Sequence, residues 1–221
     1  GHKMSKIPGL LTTIGLKEDG RTTYFQEGTV HSAATSFEWL HQLGLMPNVK
    51  KIDQAFKLSK QRLMVLPAMG GLGAPYWDSD TRAAWQGLSA DTSSDDIVRA
   101  TAEGLCFLIS DIVNMIRASS VKFSSIRLAG GLSQANQMMK FQADVLARPL
   151  VRYREIEATA IGAAFLAASS VGMPKASSML SVPIDTTFAP RLKPHVVRRL
   201  LARWAQFVKF QLDFSRAMMR S

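Results

Sequence analysis

The spacing of hydrophobic positions changes along the chain, and each change predicts an element. Leu10-Leu11-Thr12-Thr13-Ile14 and Thr22-Thr23-Tyr24-Phe25 flank Glu18-Asp19-Gly20, the pattern of two strands around an Asp-Gly turn. Helical spacing then predicts a helix from Val30 to Leu43, with Ala34, Phe37, Leu40 and His41 on one side, and a more polar helix from Val49 to Gln61. Leu63-Met64-Val65-Leu66 predicts a short buried strand that enters a Gly-rich loop, Gly70 to Asp78, and Ala84 to Leu88 predicts another strand. The longest helical signal starts at Ser93/Ser94, with Asp95 and Asp96 in its first turn. Ile97, Thr101, Gly104, Leu105, Leu108, Ile112, Met115 and Ile116 carry it for about six turns, which marks a central packed helix.

The second half of the chain alternates. Ser125 to Ala129 predicts a strand, Gly130-Gly131 a turn, Gln134 to Leu146 a helix, Pro149 to Tyr153 a strand and Glu157 to Ser170 an alanine-rich helix. Such alternation indicates an α/β layered domain. Met173 to Pro190, with three prolines, reads as irregular. A terminal amphipathic helix follows, with Val197, Leu200, Leu201, Trp204, Phe207 and Val208 on its apolar side.

Composition narrows the classes. At 221 residues, 47% hydrophobic and 20% charged, the chain can bury a core without cross-links. It has no apolar run of transmembrane length, so no membrane role is expected. One cysteine, Cys106, excludes an internal disulfide framework and fits a cytoplasmic location. Gly1-His2-Lys3 precede Met4, so residues 1–8 read as a cloning scar and linker and 9–221 as the domain. The net charge is +10; Lys50, Lys51, Lys57, Lys60 and Arg62 cluster in one stretch, and Arg191, Lys193, Arg198, Arg199, Arg203, Lys209, Arg216 and Arg220 populate the tail. Aromatic residues do not interleave with these as base-stacking would require, so no nucleic-acid partner is expected.

Three segments could carry chemistry. Gly130-Gly131 stands between a strand and a helix, where missing Cβ atoms admit a planar or phosphate-bearing ligand and the helix N-terminus offers N–H groups to an anion. The same pair also serves as a plain tight turn. Glu157 to Ala164 fills two helical turns with small residues, which suits a packed core helix or the close approach of a ligand. Gly71 to Asp78, with Arg82 four residues on, is either functional or a packed loop that an Asp78–Arg82 pair would lock. His31, His41 and His195 have no metal-ligand spacing, and no metal site is expected. Neither a phosphate-cradling Gly-x-x-x-x-Gly-Lys loop nor a Gly-x-Ser-x-Gly elbow occurs. Cys106 reads as core, and Glu103 and Asp111 as ordinary helix carboxylates.

Taken in order, these segments resemble the FGGY carbohydrate kinases from about Gly9 to Trp204. The resemblance rests on Gly9 to Ile14, Glu27-Gly28, Ala68 to Asp78, Ala83 to Glu103, Phe141 to Asp144 and Thr159 to Ala164. Gly73-Ala74-Pro75-Tyr76-Trp77-Asp78 is the form typical of the family's glycerol kinases rather than its pentulose kinases. The resemblance implies a ribonuclease H-like, actin-like ATPase domain: the C-terminal half of a two-domain kinase that transfers the γ-phosphate of ATP to a polyol with Mg²⁺. It places Gly130, Gly131, Ala135, Asn136, Ala34 and Glu38 beside ATP or ADP and makes the Thr159–Ala164 helix an inter-domain connector. No catalytic residue is expected within the chain, because the family's catalytic Asp and phosphate loops lie upstream of Gly9. The implied partners are the chain's own N-terminal domain, which carries the polyol, and further copies in a homo-oligomer. Several positions depart from the family pattern: Ala129 for Asp, Ala34 for Gly, Glu38 for Gln and Ala135 for Asn. They leave open a catalytically weak relative that acts on another polyol or serves as a nucleotide-binding regulator.

Overall fold

The computed structural model describes residues 1–2, 4, 6–18, 20–119, 121–155, 157–174, 178 and 180–219. A hairpin opens the chain, β1 (Leu11–Glu18) paired antiparallel with β2 (Arg21–Glu27). The predicted turn residue Asp19 lies outside the described residues. Register slips between Ile14 and Leu16, and glycine stands at the bulge because a Cβ at Gly15 would lie 2.4 Å from the Phe25 ring.

Next come α1 (Ala33–Gln42), α2 (Lys50–Leu58), β3 (Met64–Leu66) and β4 (Ala84–Gln86). α1 starts three residues later than its periodicity suggested. The Ser32 hydroxyl is held elsewhere, accepting the Gly70 N–H at 2.9 Å, and so ties the helix start to the Gly-rich loop. β3 and β4 pair antiparallel, and Gly87, at φ 90°, turns the chain out of β4.

α3 (Ser94–Ala118) is the spine. Its start is fixed as expected at Ser93, where a capping box joins Ser93 and Asp96. The Asp96 carboxylate also accepts the Ser59 hydroxyl at 2.8 Å and the N–H groups of Lys60 and Gln61 at 2.8 and 2.9 Å. One buried side chain thus anchors both the head of α3 and the exit of α2. Val98, Ala102, Leu105, Cys106 and Leu108 of α3 are buried in the main core with Leu40, Ile52, Leu66, Met138, Leu146, Leu150 and Trp204.

The chain continues with β5 (Ile126–Leu128), a 3₁₀ turn at Gly131–Gln134, α4 (Asn136–Leu146), β6 (Leu150–Tyr153), α5 (Ala158–Ser170), β7 (Ile184–Phe188) and α6 (Pro194–Met218). β5 runs parallel to β6, and β7 adds antiparallel on the other side. β7 lies inside the stretch read as irregular. It forms between Pro183 and Pro190 because β6 supplies its partner backbone, which no local pattern announces. α6 buries Val197, Leu200, Trp204, Phe207 and Val208 as its spacing predicts. α5 differs from the packed-core reading: Ala168 is its buried residue, and Leu166 is 46% exposed. No helix among the described residues is long and apolar enough to cross a membrane.

Candidate functional site

The strand-to-helix turn after β5 is built from glycine for a stated reason. Gly130 has φ 82°, a conformation that L side chains avoid, and a Cβ at either Gly130 or Gly131 would meet nothing within 4 Å. The turn therefore faces open space. Gly131 and Leu132 form one wall of a cavity of about 630 Å³, and Ala34, Phe37, Glu38 and His41 of α1 form the opposite wall. Met46 to Val49 close it. That volume suits a nucleoside-sized ligand. Three of the residues expected beside a nucleotide, Ala34, Glu38 and Gly131, thus share one cavity although nearly a hundred positions separate them in sequence.

The other three are placed differently. Gly130 shapes the turn. Ala135 is 1% exposed and packs in the core beneath it. Asn136 lines another hollow with Lys140, Thr186 and Arg191, and its side-chain oxygen accepts from Arg152 at 3.0 Å. Arg152 also donates to the Ser133 carbonyl at 2.6 Å and pairs with Asp185 at 2.7 Å. It therefore clamps the 3₁₀ turn to β7.

The N-terminus of α4 is not free for an anion, contrary to the sequence expectation. The Asp53 carboxylate from α2 accepts the N–H groups of Asn136 at 3.2 Å and Gln137 at 2.7 Å. A neighbouring element supplies the cap that the local sequence lacks. Asp53 and Arg152 were not singled out from sequence. Asp53 gives a weak signal, an acid in a basic amphipathic helix; Arg152 gives none.

The loop from Gly71 to Asp78 is locked, but not by the expected pair. Asp78 accepts the N–H groups of Thr81 at 2.8 Å and Asp80 at 3.1 Å, and Arg82 donates to the Ser79 carbonyl. The Tyr76 hydroxyl donates to Asp111 at 2.8 Å, and the Trp204 indole N–H reaches the same oxygen at 2.7 Å. Burial holds the Asp111 carboxyl above the usual carboxylate range, against those two hydrogen bonds. Burial also pushes the Tyr76 phenol up, with the Asp111 charge adding to it. Asp111 was read as an ordinary helix carboxylate. Its place between Leu108 and Ile112 on the apolar stripe of α3 was the available signal. Trp77 donates to the Gly9 carbonyl at 2.7 Å, so the loop also fixes the entrance to β1. Cys106 is buried as expected, and burial raises its thiol pKa. Among the described residues no group of three or more His, Cys, Asp or Glu could hold a metal ion.

An α/β layered domain whose glycine turn borders a cavity of this size has the architecture of a ligand-binding domain. The model of the FGGY family of carbohydrate kinases, C-terminal domain, matches residues 2–171. Glycerol kinases of Lactobacillus acidophilus and Lactobacillus delbrueckii subsp. bulgaricus are 34% and 37% identical, each over 90% of this chain and 41% of their own length. A Plasmodium falciparum glycerol kinase solved with ADP is similar in structure, at TM-score 0.79 and 26% identity over 93% of this chain and 42% of that one. A xylulose kinase from Rhodospirillum rubrum shares the fold at TM-score 0.77 and 21% identity, over 97% of this chain and 45% of that one. The chain belongs to the FGGY family of carbohydrate kinases and has the ribonuclease H-like, actin-like ATPase fold of their C-terminal half. It spans about two fifths of the length of the relatives it matches.

Proposed function

We propose that the chain is the nucleotide-binding domain of an ATP-dependent glycerol kinase, whose full-length form transfers the γ-phosphate of ATP to glycerol and yields glycerol 3-phosphate. The cavity that unites Gly131 with Ala34 and Glu38 carries this reading. The adenosine part of ATP or ADP lies there, the Gly130–Gly131 turn allowing its close approach. Asn136 and Ala135 act from behind, Asn136 by holding the turn through Arg152 and Ala135 by packing beneath it. Glycerol as the acceptor follows from the Gly73–Asp78 form shared with the family's glycerol kinases.

Mg²⁺, the general base and the phosphate loops belong to the rest of the parent, since in-line phosphoryl transfer needs all three. The parent is cytoplasmic and homo-oligomeric. The exposed apolar residues Leu11, Ile14 and Phe25 of the hairpin and Leu166 of α5 support a second domain that covers them.

The test is a coupled assay of the full-length parent with ATP, Mg²⁺ and glycerol, beside calorimetry of the 221-residue chain with ADP. The parent turns over, and the chain binds ADP without phosphorylating glycerol. A parent inactive on glycerol and on related polyols overturns the assignment, as does kinase activity in the isolated chain. ADP binding without turnover in the parent selects the regulatory alternative.

A further inference from the structure

A second groove lies where the open ends of β3 and β4 meet α6. Met64 pairs with Gln86 across the ladder, so Arg62, just before β3, and Gly87, just after β4, emerge side by side. From α6, Arg203, Gln206, Phe207 and Phe210 face them, at positions i, i+3, i+4 and i+7 that share one helical face. These residues enclose about 430 Å³, with none in common with the nucleotide cavity.

The chemistry of the groove is one-sided. Arg62 and Arg203 are exposed, and among the described residues neither side chain has a hydrogen bond or an ion pair. Glu103 lines a small adjoining recess with both arginines, and one of its carboxylate oxygens accepts from Arg99 at 2.8 Å. Asp213 on α6 is paired with Lys209 at 3.4 Å. Two guanidinium groups, each with five donors in a planar fork, thus line one groove without a hydrogen-bonded partner of their own. Gln86 and Gln206 add neutral donors and acceptors. Phe207 is buried at the base, whereas Phe210 is 64% exposed at the rim. An exposed ring beside paired arginines favours a ligand with an apolar or ring face next to its charge.

We propose that this groove is a binding site for a small organic phosphate monoester, separate from the nucleotide cavity. The phosphate dianion bridges Arg62 and Arg203, the glutamine amides take its hydroxyl or ester oxygens, and Phe210 covers its carbon skeleton. Inorganic phosphate occupies the same place more weakly, because it makes no contact with Phe210.

The experiment titrates the 221-residue chain at low salt with phenyl phosphate and with inorganic phosphate, followed by calorimetry and by amide NMR shifts. Phenyl phosphate is expected to shift amides of Gly87 and Arg203 and to bind at least tenfold more weakly to Arg62→Gln and to Arg203→Gln. Phe210→Ala lowers affinity for phenyl phosphate but not for inorganic phosphate. Both arginines are exposed, and an unchanged Tm in each variant establishes that the fold is intact. Arg203→Lys, which keeps the charge and loses the fork, serves as a second variant and falls between. Ala34→Phe, which fills the nucleotide cavity, leaves phenyl phosphate binding intact, so loss of ADP binding and loss of this site are separable. Equal affinity in the wild type and both glutamine variants overturns the proposal. So does abolition of phenyl phosphate binding by Ala34→Phe.

Discussion

Replacing Asp96 with alanine removes the acceptor for five donors. These are the Ser93 N–H at 2.9 Å, the Ser93 hydroxyl at 2.6 Å, the Ser59 hydroxyl at 2.8 Å, and the N–H groups of Lys60 and Gln61 at 2.8 and 2.9 Å. A hydrogen bond to a charged group is worth roughly 1.5–3 kcal/mol, so a plain sum would approach the whole stability of a domain. The sum overstates the loss. Lys60 is exposed and Gln61 half-buried, so water replaces part of what those N–H groups lose. What remains is the helix cap, about 1 kcal/mol, plus the part-buried Ser93 and Ser59 contacts to the buried Asp96 carboxylate. The expected net loss is about 3–5 kcal/mol, or roughly 6–20 °C in Tm for a chain of this size.

The pH dependence supplies an independent check. Burial opposes the Asp96 charge, but hydrogen bonds from Ser93, Gln61 and Ser59 outweigh it and hold the carboxyl below the usual range. Its stabilisation is therefore complete above the unfolded pKa, about 4, and is lost as pH falls below that toward the depressed folded value. Calorimetric or urea unfolding of wild type, Asp96→Ala and Asp96→Asn at pH 7 and pH 2.5 measures both effects. Asp96→Asn keeps one oxygen for the Ser59–Gln61 donors and turns an amide N–H toward Ser93, so its loss is intermediate. A Tm change under about 2 °C for Asp96→Ala, or a difference from wild type that stays constant between the two pH values, would refute the reasoning.

The half-buried Asp111 behaves with the opposite sign: its folded pKa is raised, so its contribution declines as pH rises from about 4 toward the folded value. Thermal melts of Asp111→Asn should therefore gain on wild type between pH 4 and pH 7, and a pH-independent difference would contradict this. A Cβ at Gly73 would lie 2.1 Å from the Thr29 carbonyl oxygen, which already accepts the Ala74 N–H at 3.0 Å. Gly73→Ala should cost about 1–3 kcal/mol, roughly 2–12 °C in Tm; an unshifted melt would mean that the loop yields freely. Glu38→Gln removes a negative charge from the wall of the cavity proposed for the nucleotide and should tighten ADP binding by roughly two- to fivefold at low salt, the gain shrinking as salt is raised. Calorimetry at two salt concentrations decides it, and unchanged affinity at both would place the nucleotide elsewhere.

The sequence by itself determined the elements whose signals are local. The cap at Ser93, the stripe from Leu105 to Ile112, the apolar side of α6 and the Gly130–Gly131 turn each express a helical period or a glycine conformation, and each stands where the sequence put it. The motif order also carried the family, and with it the pairing of Ala34, Glu38 and Gly131 in one cavity. Tertiary structure alone decided what depends on distant partners. β7 exists because β6 offers it a backbone, α4 is capped by Asp53 from another helix, and Asp111 is joined by Tyr76 and Trp204 from two separate elements. Asp78 and Arg82, spaced for an ion pair, instead bond to backbone within three residues, because a loop with little regular structure must satisfy its own peptide groups first. Local periodicity reports which face of an element is apolar. It does not report which polar group from elsewhere will meet the element's ends.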